Sequence, residues 1–382
     1  MTWKASKRGA IAPFIVMDVM RTANERAAAG HDVLHLEVGQ PDTPAPQGVL
    51  DAAGYAIAND RLGYTDALGI APLRQRIADH YGAWYGVDVD GRRVVATTGS
   101  SGAFILAFLA AFDAGDRVAL ASPGYPAYRN ILTALGVEVV DLPVGPDTNF
   151  QPTPSVLDGV SGDIAGLIVA SPANPTGTML HRRDLEALVA YTADRGIRLI
   201  SDEIYHGINY EDRAETALSF TEDAIVINSF SKYFSMTGWR IGWMVMPEIL
   251  MRSVECLAQN LFISPPAVSQ HAAAAAFDCQ AELDANVARY AQNRELLLAQ
   301  LPLAGFERLA AAEGAFYLYA DITHMTNDSL GFCRRMLTET GVAATPGVDF
   351  DPERGNRFMR FSFAGSTENM AEAARRLVAW KR

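Results

Sequence analysis

One lysine stands among residues suited to binding an anion. Residues 225–243 begin as an apolar strand, break into small polar residues around Lys232, and present Arg240 between two glycines. A lysine amine can form an imine with a carbonyl, while serine hydroxyls and an arginine can bind a dianionic phosphate. The stretch therefore predicts a site for a phosphorylated aldehyde, with Lys232 as nucleophile and Ser229, Ser231 and Arg240 at the phosphate. The lysine of a lone S-x-S-K motif is more often an ordinary solvated surface residue. Whether Lys232 belongs to a binding site therefore depends on the other motifs of the chain.

A second candidate phosphate site lies in residues 94–112, which read as a short strand, a Gly/Ser turn and an apolar helix. The turn is Gly99, Ser100, Ser101 and Gly102. It places unpaired N–H groups and hydroxyls at a helix N-terminus, where the helix dipole stabilises an anion. Gly-Ser turns are common, so this turn indicates a phosphate site only in combination with others.

Polar or aromatic residues follow several other predicted strands. Tyr125 is held by the turn S-P-G-Y-P, and Asn174 is held between two prolines in S-P-A-N-P-T-G. Asp202 directly follows an apolar strand, with Tyr205 three residues later. Open α/β sheets bind ligands at the carboxyl ends of their strands, and an aspartate there is either paired or facing a ligand. Tyr125 alone could equally be filling a loop.

The elements that must position these residues alternate between strand and helix through residue 245. This order predicts an α/β fold with a mostly parallel sheet covered by helices on both faces. After residue 247 the chain becomes helix-rich and then shows short strands, which predicts a smaller α+β domain. We expect a large domain over residues 41–280, and a small domain built from residues 1–40 and 281–382.

Composition narrows the classes of partner. The net charge of −12 over 382 residues argues against nucleic acid or an anionic membrane as a partner. Cys256, Cys279 and Cys333 lack metal or disulfide spacing, and the histidines show no ligand spacing, so no metal site is expected. No signal peptide and no apolar run of about 20 residues is present, and a cytoplasmic location is predicted.

Taken together, the motifs resemble the class I/II aminotransferase family of fold-type I pyridoxal-phosphate enzymes. The resemblance covers nearly the whole chain, from G-Q-P-D at residues 39–42 to M-R-F-S-F-A at residues 359–364. It implies pyridoxal 5'-phosphate as cofactor, and a ping-pong transfer of an amino group between an L-amino acid and a 2-oxo acid.

The resemblance also implies roles at the cofactor ring. Lys232 would carry the cofactor as an imine and move the proton at the substrate α-carbon. Asp202 would keep the pyridine nitrogen protonated, Tyr205 and Asn174 would bind the phenolic oxygen, and Tyr125 would stack on the ring.

The phosphate would be bound by Ser100, Ser101, Ser229 and Arg240. Tyr64 matches a residue that the family donates from a second subunit. The resemblance therefore implies a homodimer with shared active sites.

Arg360 matches the arginine that binds the substrate α-carboxylate, assisted by Asn174 and the Gly39 backbone. The phosphate turn departs from relatives that act on aspartate, because it contains no lysine. An acidic side chain therefore lacks an obvious anchor, which favours neutral or apolar donors. Lys7 or Arg8 could supply a cation by folding over the site.

Two alternatives remain open at this stage. One is a C–S β-lyase on the same scaffold, because these residues activate the α-carbon without dictating which bond breaks next. The other is a transcription regulator with an aminotransferase-like domain, which would need an added DNA-binding domain and a basic face.

Overall fold

A computed structural model describes residues 3–381. Within them, twelve α-helices alternate with thirteen strands. The helices are α1 (Ile15–Ala28), α2 (Gln47–Asn59), α3 (Ala71–Tyr85), α4 (Gly99–Ala111), α5 (Pro126–Leu135), α6 (Pro154–Asp158), α7 (Arg182–Asp194), α8 (Glu248–Leu261), α9 (Ala267–Ala276), α10 (Gln280–Gln300), α11 (Ser329–Thr340) and α12 (Thr367–Ala379). The strands are β1 (Leu34–His35), β2 (Val94–Thr97), β3 (Arg117–Ser122), β4 (Glu138–Pro143), β5 (Gly166–Ala170), β6 (Arg198–Asp202), β7 (Ile225–Ser229), β8 (Gly242–Val245), β9 (Arg308–Leu309), β10 (Tyr317–Asp321), β11 (Val342–Ala343), β12 (Thr345–Pro346) and β13 (Phe358–Ser362).

The central sheet has seven strands in the order β2-β8-β7-β6-β5-β3-β4. Strand β8 runs antiparallel to both of its neighbours, and the other pairs are parallel. Ala170 of β5 pairs with Asp202 of β6, so the carboxyl ends of these strands meet at one edge. The predicted mostly parallel α/β sheet is confirmed.

The strands are apolar on both sides because helices cover both faces of the sheet. In β7, Val226 packs into a core cluster with residues of α3 and α7. Its neighbours Ile225 and Ile227 point the other way, into a cluster with residues of α4, α5 and α8. Strands covered on both faces have no polar face, which explains their continuous apolar runs.

Two smaller sheets lie outside the central one. Strands β12, β13, β10 and β9 form an antiparallel sheet, and β1 pairs in parallel with β11. Residues 31–38 contain only the two-residue strand β1, and the alanine-rich residues 267–300 are divided into α9 and α10. One core cluster continues from Leu34 to Leu377, across the predicted division between large and small domains. The domain boundaries themselves stay a prediction.

Candidate active site

One cavity collects most of the residues that the sequence singles out. It lies at the carboxyl ends of the central strands. The predicted site residues that line it are Gly39, Ser100, Ser101, Tyr125, Asn174, Asp202, Tyr205, Lys232, Arg240 and Arg360. Two predicted residues, Ser229 and Tyr64, do not line it.

Lys232 follows β7 and points across the cavity to the N-terminal segment. Its Nζ donates to the backbone carbonyl of Gly39 at 2.5 Å. Burial lowers the pKa of the Lys232 amine to about 8, and the positive charges of Arg360 and Arg240 act in the same direction, while Asp202 opposes them. A lower pKa increases the fraction of neutral, nucleophilic amine near neutral pH.

Asp202 ends β6 and is buried. Its Oδ2 accepts from the Tyr128 hydroxyl, and its Oδ1 accepts from the Ile204 N–H at 3.0 Å. Burial raises the pKa of Asp202 to about 6, although both hydrogen bonds and the nearby Lys232 charge oppose this shift. The carboxylate form therefore predominates at pH 7. Sequence reasoning missed Tyr128; the available signal was its position three residues after Tyr125, on the same side of a helix.

Tyr205 is buried and paired with a second tyrosine. The hydroxyl oxygens of Tyr205 and Tyr317 lie 2.5 Å apart. A Cβ added at Gly39 would overlap the Tyr317 hydroxyl, so only glycine fits at that point of the cavity wall. Tyr317 lines the cavity and was also missed. In the sequence it reads only as one aromatic residue in an apolar strand.

The end of the cavity suited to binding an anion is formed by the N-terminus of α4. Its N-cap residue, Thr98, makes no side-chain capping hydrogen bond. The guanidinium of Arg240 lies beside Gly99, where an added Cβ would be 2.5 Å from its Nη2. First-turn N–H groups, two serine hydroxyls and a guanidinium thus converge on one place. This combination suits an anion better than a helix N-terminus alone would.

Ser229 lies behind this surface. It is buried, its Oγ donates to the Ile241 carbonyl at 3.2 Å, and the same oxygen lies 2.8 Å from the Oγ of Ser231. Ser231, rather than Ser229, lines the cavity. A direct phosphate contact for Ser229 stays a prediction, and the structure places Ser231 closer to such a role.

Arg360 also lines the cavity and is only 2% exposed. Its Nη1 donates to Asn174 Oδ1 at 2.7 Å, and its Nη2 donates to the Glu37 carbonyl at 2.5 Å. The guanidinium also lies over the Tyr317 ring, at 4.3 Å from the centroid. Within residues 3–381, its Nε has no hydrogen-bond partner. A buried cation with an unused donor is suited to a carboxylate ligand.

One apolar part of the cavity wall comes from the N-terminal part of the chain. Phe14 and three residues of α1, namely Val16, Met17 and Met20, line the cavity. Lys7 and Arg8 are exposed in the turn Lys7–Gly9 and do not line it.

Tyr64 is 84% exposed and lies outside the cavity of its own chain. Its predicted donation to a second subunit stays a prediction.

The comparisons with known proteins agree with this geometry. A family model for aminotransferase class I and II matches residues 31–377. A valine–pyruvate aminotransferase of Mycobacterium tuberculosis is 50% identical over 384 residues, covering 100% of this chain and 99% of the relative. The solved structure of a putative aminotransferase from Silicibacter pomeroyi is 54% identical with a TM-score of 0.93, covering 99% of both chains. The aspartate aminotransferase of Thermus thermophilus, solved with maleate, is 30% identical with a TM-score of 0.92, covering 99% of this chain and 100% of the other.

The chain belongs to the class I and II aminotransferases. It is a pyridoxal-phosphate-dependent enzyme that transfers an amino group between an amino acid and a 2-oxo acid. The predicted family, activity and cofactor are confirmed. No helix among residues 3–381 is long and apolar enough to cross a membrane.

The cavity fits this cofactor. The aldehyde of the cofactor requires an amine, the phosphate requires an anion site, and the pyridine nitrogen requires an acidic partner. Lys232, the N-terminus of α4 with Arg240, and Asp202 supply these groups within one cavity. Arg360 lines the same cavity, so a cation separate from Arg240 is available for the carboxylate of an amino acid.

Proposed function

We propose that this aminotransferase prefers amino-acid donors with neutral, apolar side chains, and that Lys232 is the residue that carries its cofactor. The observation that carries the substrate preference is the composition of the cavity wall. Among residues 3–381, Lys232, Arg240 and Arg360 are the only lysines and arginines that line the cavity. Each has a role in the proposal, at the cofactor aldehyde, the phosphate and the α-carboxylate respectively.

When bound, pyridoxal phosphate accepts the electron pair that remains after the α-proton of the amino acid is removed. The chain supplies the rest. In the proposal, Lys232 takes the proton from the α-carbon and returns it, and the Asp202 carboxylate keeps the pyridine nitrogen protonated. Tyr205 donates to the phenolic oxygen, with Asn174 beside it, and Tyr125 covers the ring.

Phosphate binding is assigned to the N–H groups at the start of α4, to Ser100 and Ser101, and to Arg240, with Ser229 supporting Ser231. This arrangement anchors the cofactor by its phosphate. The anchored end fixes where the reacting carbon lies relative to Lys232.

Arg360 binds the substrate α-carboxylate in this proposal, assisted by Asn174 and the Gly39 backbone. The proposal places the side chain of the substrate against α1, where Val16, Met17 and Met20 line the cavity with apolar groups. A distal carboxylate would be desolvated there without a cation, which costs several kcal/mol. The valine–pyruvate name of the Mycobacterium relative supports this preference, while the aspartate name of the Thermus relative does not.

A half-reaction screen tests the substrate preference. Each amino acid is mixed with the cofactor-loaded enzyme, and the loss of the cofactor absorption band is followed together with the keto product. We expect valine, alanine, methionine and aromatic donors to react faster than aspartate. A faster reaction with aspartate would contradict the proposal, and release of pyruvate with ammonia or a thiol would indicate the β-lyase alternative.

A positive charge introduced into the cavity wall provides a second test of the substrate preference. Met20→Arg places a cation on the cavity side of α1, and we expect it to raise kcat/KM for aspartate relative to valine by roughly tenfold, the value of one charge-assisted hydrogen bond. Thr22→Arg is the matched control, because Thr22 is exposed on the same helix and does not line the cavity. It should leave the aspartate-to-valine ratio unchanged.

The active unit in this proposal is a homodimer in which Tyr64 reaches the phosphate of the other subunit. The exposure of Tyr64 and of several neighbouring apolar side chains supports it. The division into a large domain over residues 41–280 and a small domain from the remaining residues is part of the same proposal. The proposal also includes a cytoplasmic location, which the three free cysteines support.

A further inference from the structure

The N-terminus of α1 is capped by a residue far away in the sequence. Phe14, its N-cap residue, provides no side-chain capping hydrogen bond. Instead the N–H groups of Ile15 and Val16 donate to the two carboxylate oxygens of Asp349, at 2.8 and 3.1 Å. Asp349 is 7% exposed, and its bond to the Val16 N–H is buried, while its bond to the Ile15 N–H is partly buried. A carboxylate that accepts from two first-turn N–H groups satisfies donors that a helix otherwise leaves free.

The segment that carries Asp349 also contacts the carboxylate-binding arginine. The hydroxyl of Thr345 accepts from Arg360 Nη2 at 3.2 Å, and the guanidinium lies 4.8 Å from the centroid of the Phe350 ring. Residues 345–350 therefore bind Arg360 on one side and α1 on the other. The anchor for the substrate α-carboxylate and the apolar wall for its side chain are fixed by the same six residues.

This segment has little freedom to shift. Thr345 pairs with Arg360 in the small antiparallel sheet. A Cβ at Gly347 would overlap the backbone of Gly355 and Phe358, so the chain passes its neighbours without room for a side chain. Asp351 closes the following turn by accepting from the N–H of Arg354 at 2.9 Å. A rigid segment keeps constant the distance between the two surfaces that it contacts.

We infer that Asp349 is a positioning residue for substrate selection, which sets the distance between Arg360 and the apolar face of α1 by holding the first turn of that helix. The inference rests on the proposed function, because it assumes that Arg360 binds the α-carboxylate and that α1 faces the side chain. Substrate side chains long enough to contact α1 are bound more favourably because of this spacing. Alanine, whose side chain is a single methyl group, benefits least in binding.

The test compares Asp349→Ala with Asp328→Ala. Asp328 also caps a helix, since its Oδ1 accepts from the N–H of Gly331 at 2.9 Å, but no residue of that helix, α11, lines the cavity. Steady-state kcat and KM are measured for valine and for alanine with each cofactor-loaded variant. Loss of a helix cap is worth about 1 kcal/mol, so we expect the valine-to-alanine ratio of kcat/KM to fall on the order of fivefold in Asp349→Ala, mainly through KM for valine. Asp328→Ala should keep the wild-type ratio.

Hydrogen exchange provides a direct second measurement. The amides of Ile15 and Val16 should exchange faster in Asp349→Ala and keep their wild-type protection in Asp328→Ala. Faster exchange with an unchanged valine-to-alanine ratio would overturn the inference, because Asp349 would then cap α1 without selecting a substrate. If Asp349→Ala does not fold, Asp349→Asn, which keeps one acceptor oxygen, is judged by the same two criteria.

Failure of the proposed function gives a different result. A wild-type enzyme that reacts faster with aspartate than with valine would refute the apolar preference. The role of Asp349 would still be tested, with aspartate replacing valine as the longer donor. The inference then requires that Asp349→Ala change the ratio of kcat/KM for aspartate to kcat/KM for alanine.

Discussion

Two buried groups of opposite charge define the chemistry of the site at the scale of single residues. Burial shifts the pKa of Asp202 up to about 6 and that of Lys232 down to about 8. At pH 7 the cofactor-free enzyme therefore contains mostly ionised Asp202 and mostly protonated Lys232. A carbonyl reacts only with the neutral amine, so the reactivity of Lys232 should rise with pH until most of the amine is neutral.

This leads to a prediction about pH. Reductive methylation with formaldehyde, applied briefly to the cofactor-free enzyme, should modify Lys232 at a rate that rises with pH and levels off above about pH 8. Mass spectrometry of the peptide that contains Lys232 measures the rate. A rate that keeps rising toward pH 10.5, the ordinary pKa of a lysine, would show that burial and the neighbouring arginines do not depress this pKa.

Residues in local motifs could be predicted from sequence, and residues that act through distant contacts could not. Lys232, Asn174 and Asp202 stand beside strand ends and turn residues, which mark them locally. Tyr317 meets Tyr205 across 112 positions, and Asp349 meets Ile15 across 334. Such pairs depend on how elements pack, which no local pattern reveals.

At the scale of elements, the polar ends of strands and one helix N-terminus build the cofactor site. The strand–turn–helix prediction for residues 94–112 agrees with β2 and α4. Strong periodicity and glycine or proline boundaries make such elements readable from sequence. The two-residue strands β1 and β11 were not readable, because only their pairing with each other defines them.

The approach of β8 to α4 gives a prediction at this scale. A Cβ at Gly242 would lie 2.9 Å from the Asn228 carbonyl oxygen and 3.0 Å from the backbone nitrogen of Ser100. Gly242→Ala should therefore displace the first turn of α4 and weaken cofactor binding by roughly tenfold, since one or two phosphate hydrogen bonds are lost.

Equilibrium binding of pyridoxal phosphate to the cofactor-free protein measures this effect. Gly238→Ala is the matched control, because nothing lies within 4 Å of a Cβ at that nearby position. Equal cofactor affinity in the two variants would argue against a phosphate role for the α4 N-terminus.

At the scale of the whole molecule, one group of seven exposed apolar side chains indicates an association surface. They lie on α2, on the loop after it and around the end of α8: Leu50, Tyr55, Ile57, Leu62, Tyr64, Leu261 and Ile263. The loop is joined to the segment after α8 by the Thr65 N–H, which donates to Ser264 Oγ at 3.4 Å. An apolar surface of this kind commonly marks a contact with another protein chain, and here the proposed partner is a second copy.

Mixed dimers test the shared site. Tyr64→Phe should weaken cofactor binding on the order of tenfold, through loss of one hydrogen bond to the phosphate, which is charged. Mixing it with an inactive Lys232→Ala variant that keeps Tyr64 should restore part of the activity. Sedimentation velocity should show a dimer; a fully active monomer, or no rescue in mixtures, would contradict shared sites.

The identity of the cofactor lysine tests the central claim most directly. The chain contains four lysines, and Lys4, Lys7 and Lys381 lie close to its ends, so Lys232 is the only one in the interior of the sequence. Borohydride reduction of the cofactor-loaded enzyme, followed by tryptic digestion, should yield a pyridoxyl group on Lys232 in a peptide of residues 214–240, because the modified lysine resists cleavage. A pyridoxyl group on Lys4, Lys7 or Lys381, with Lys232 unmodified, would contradict the proposed active site.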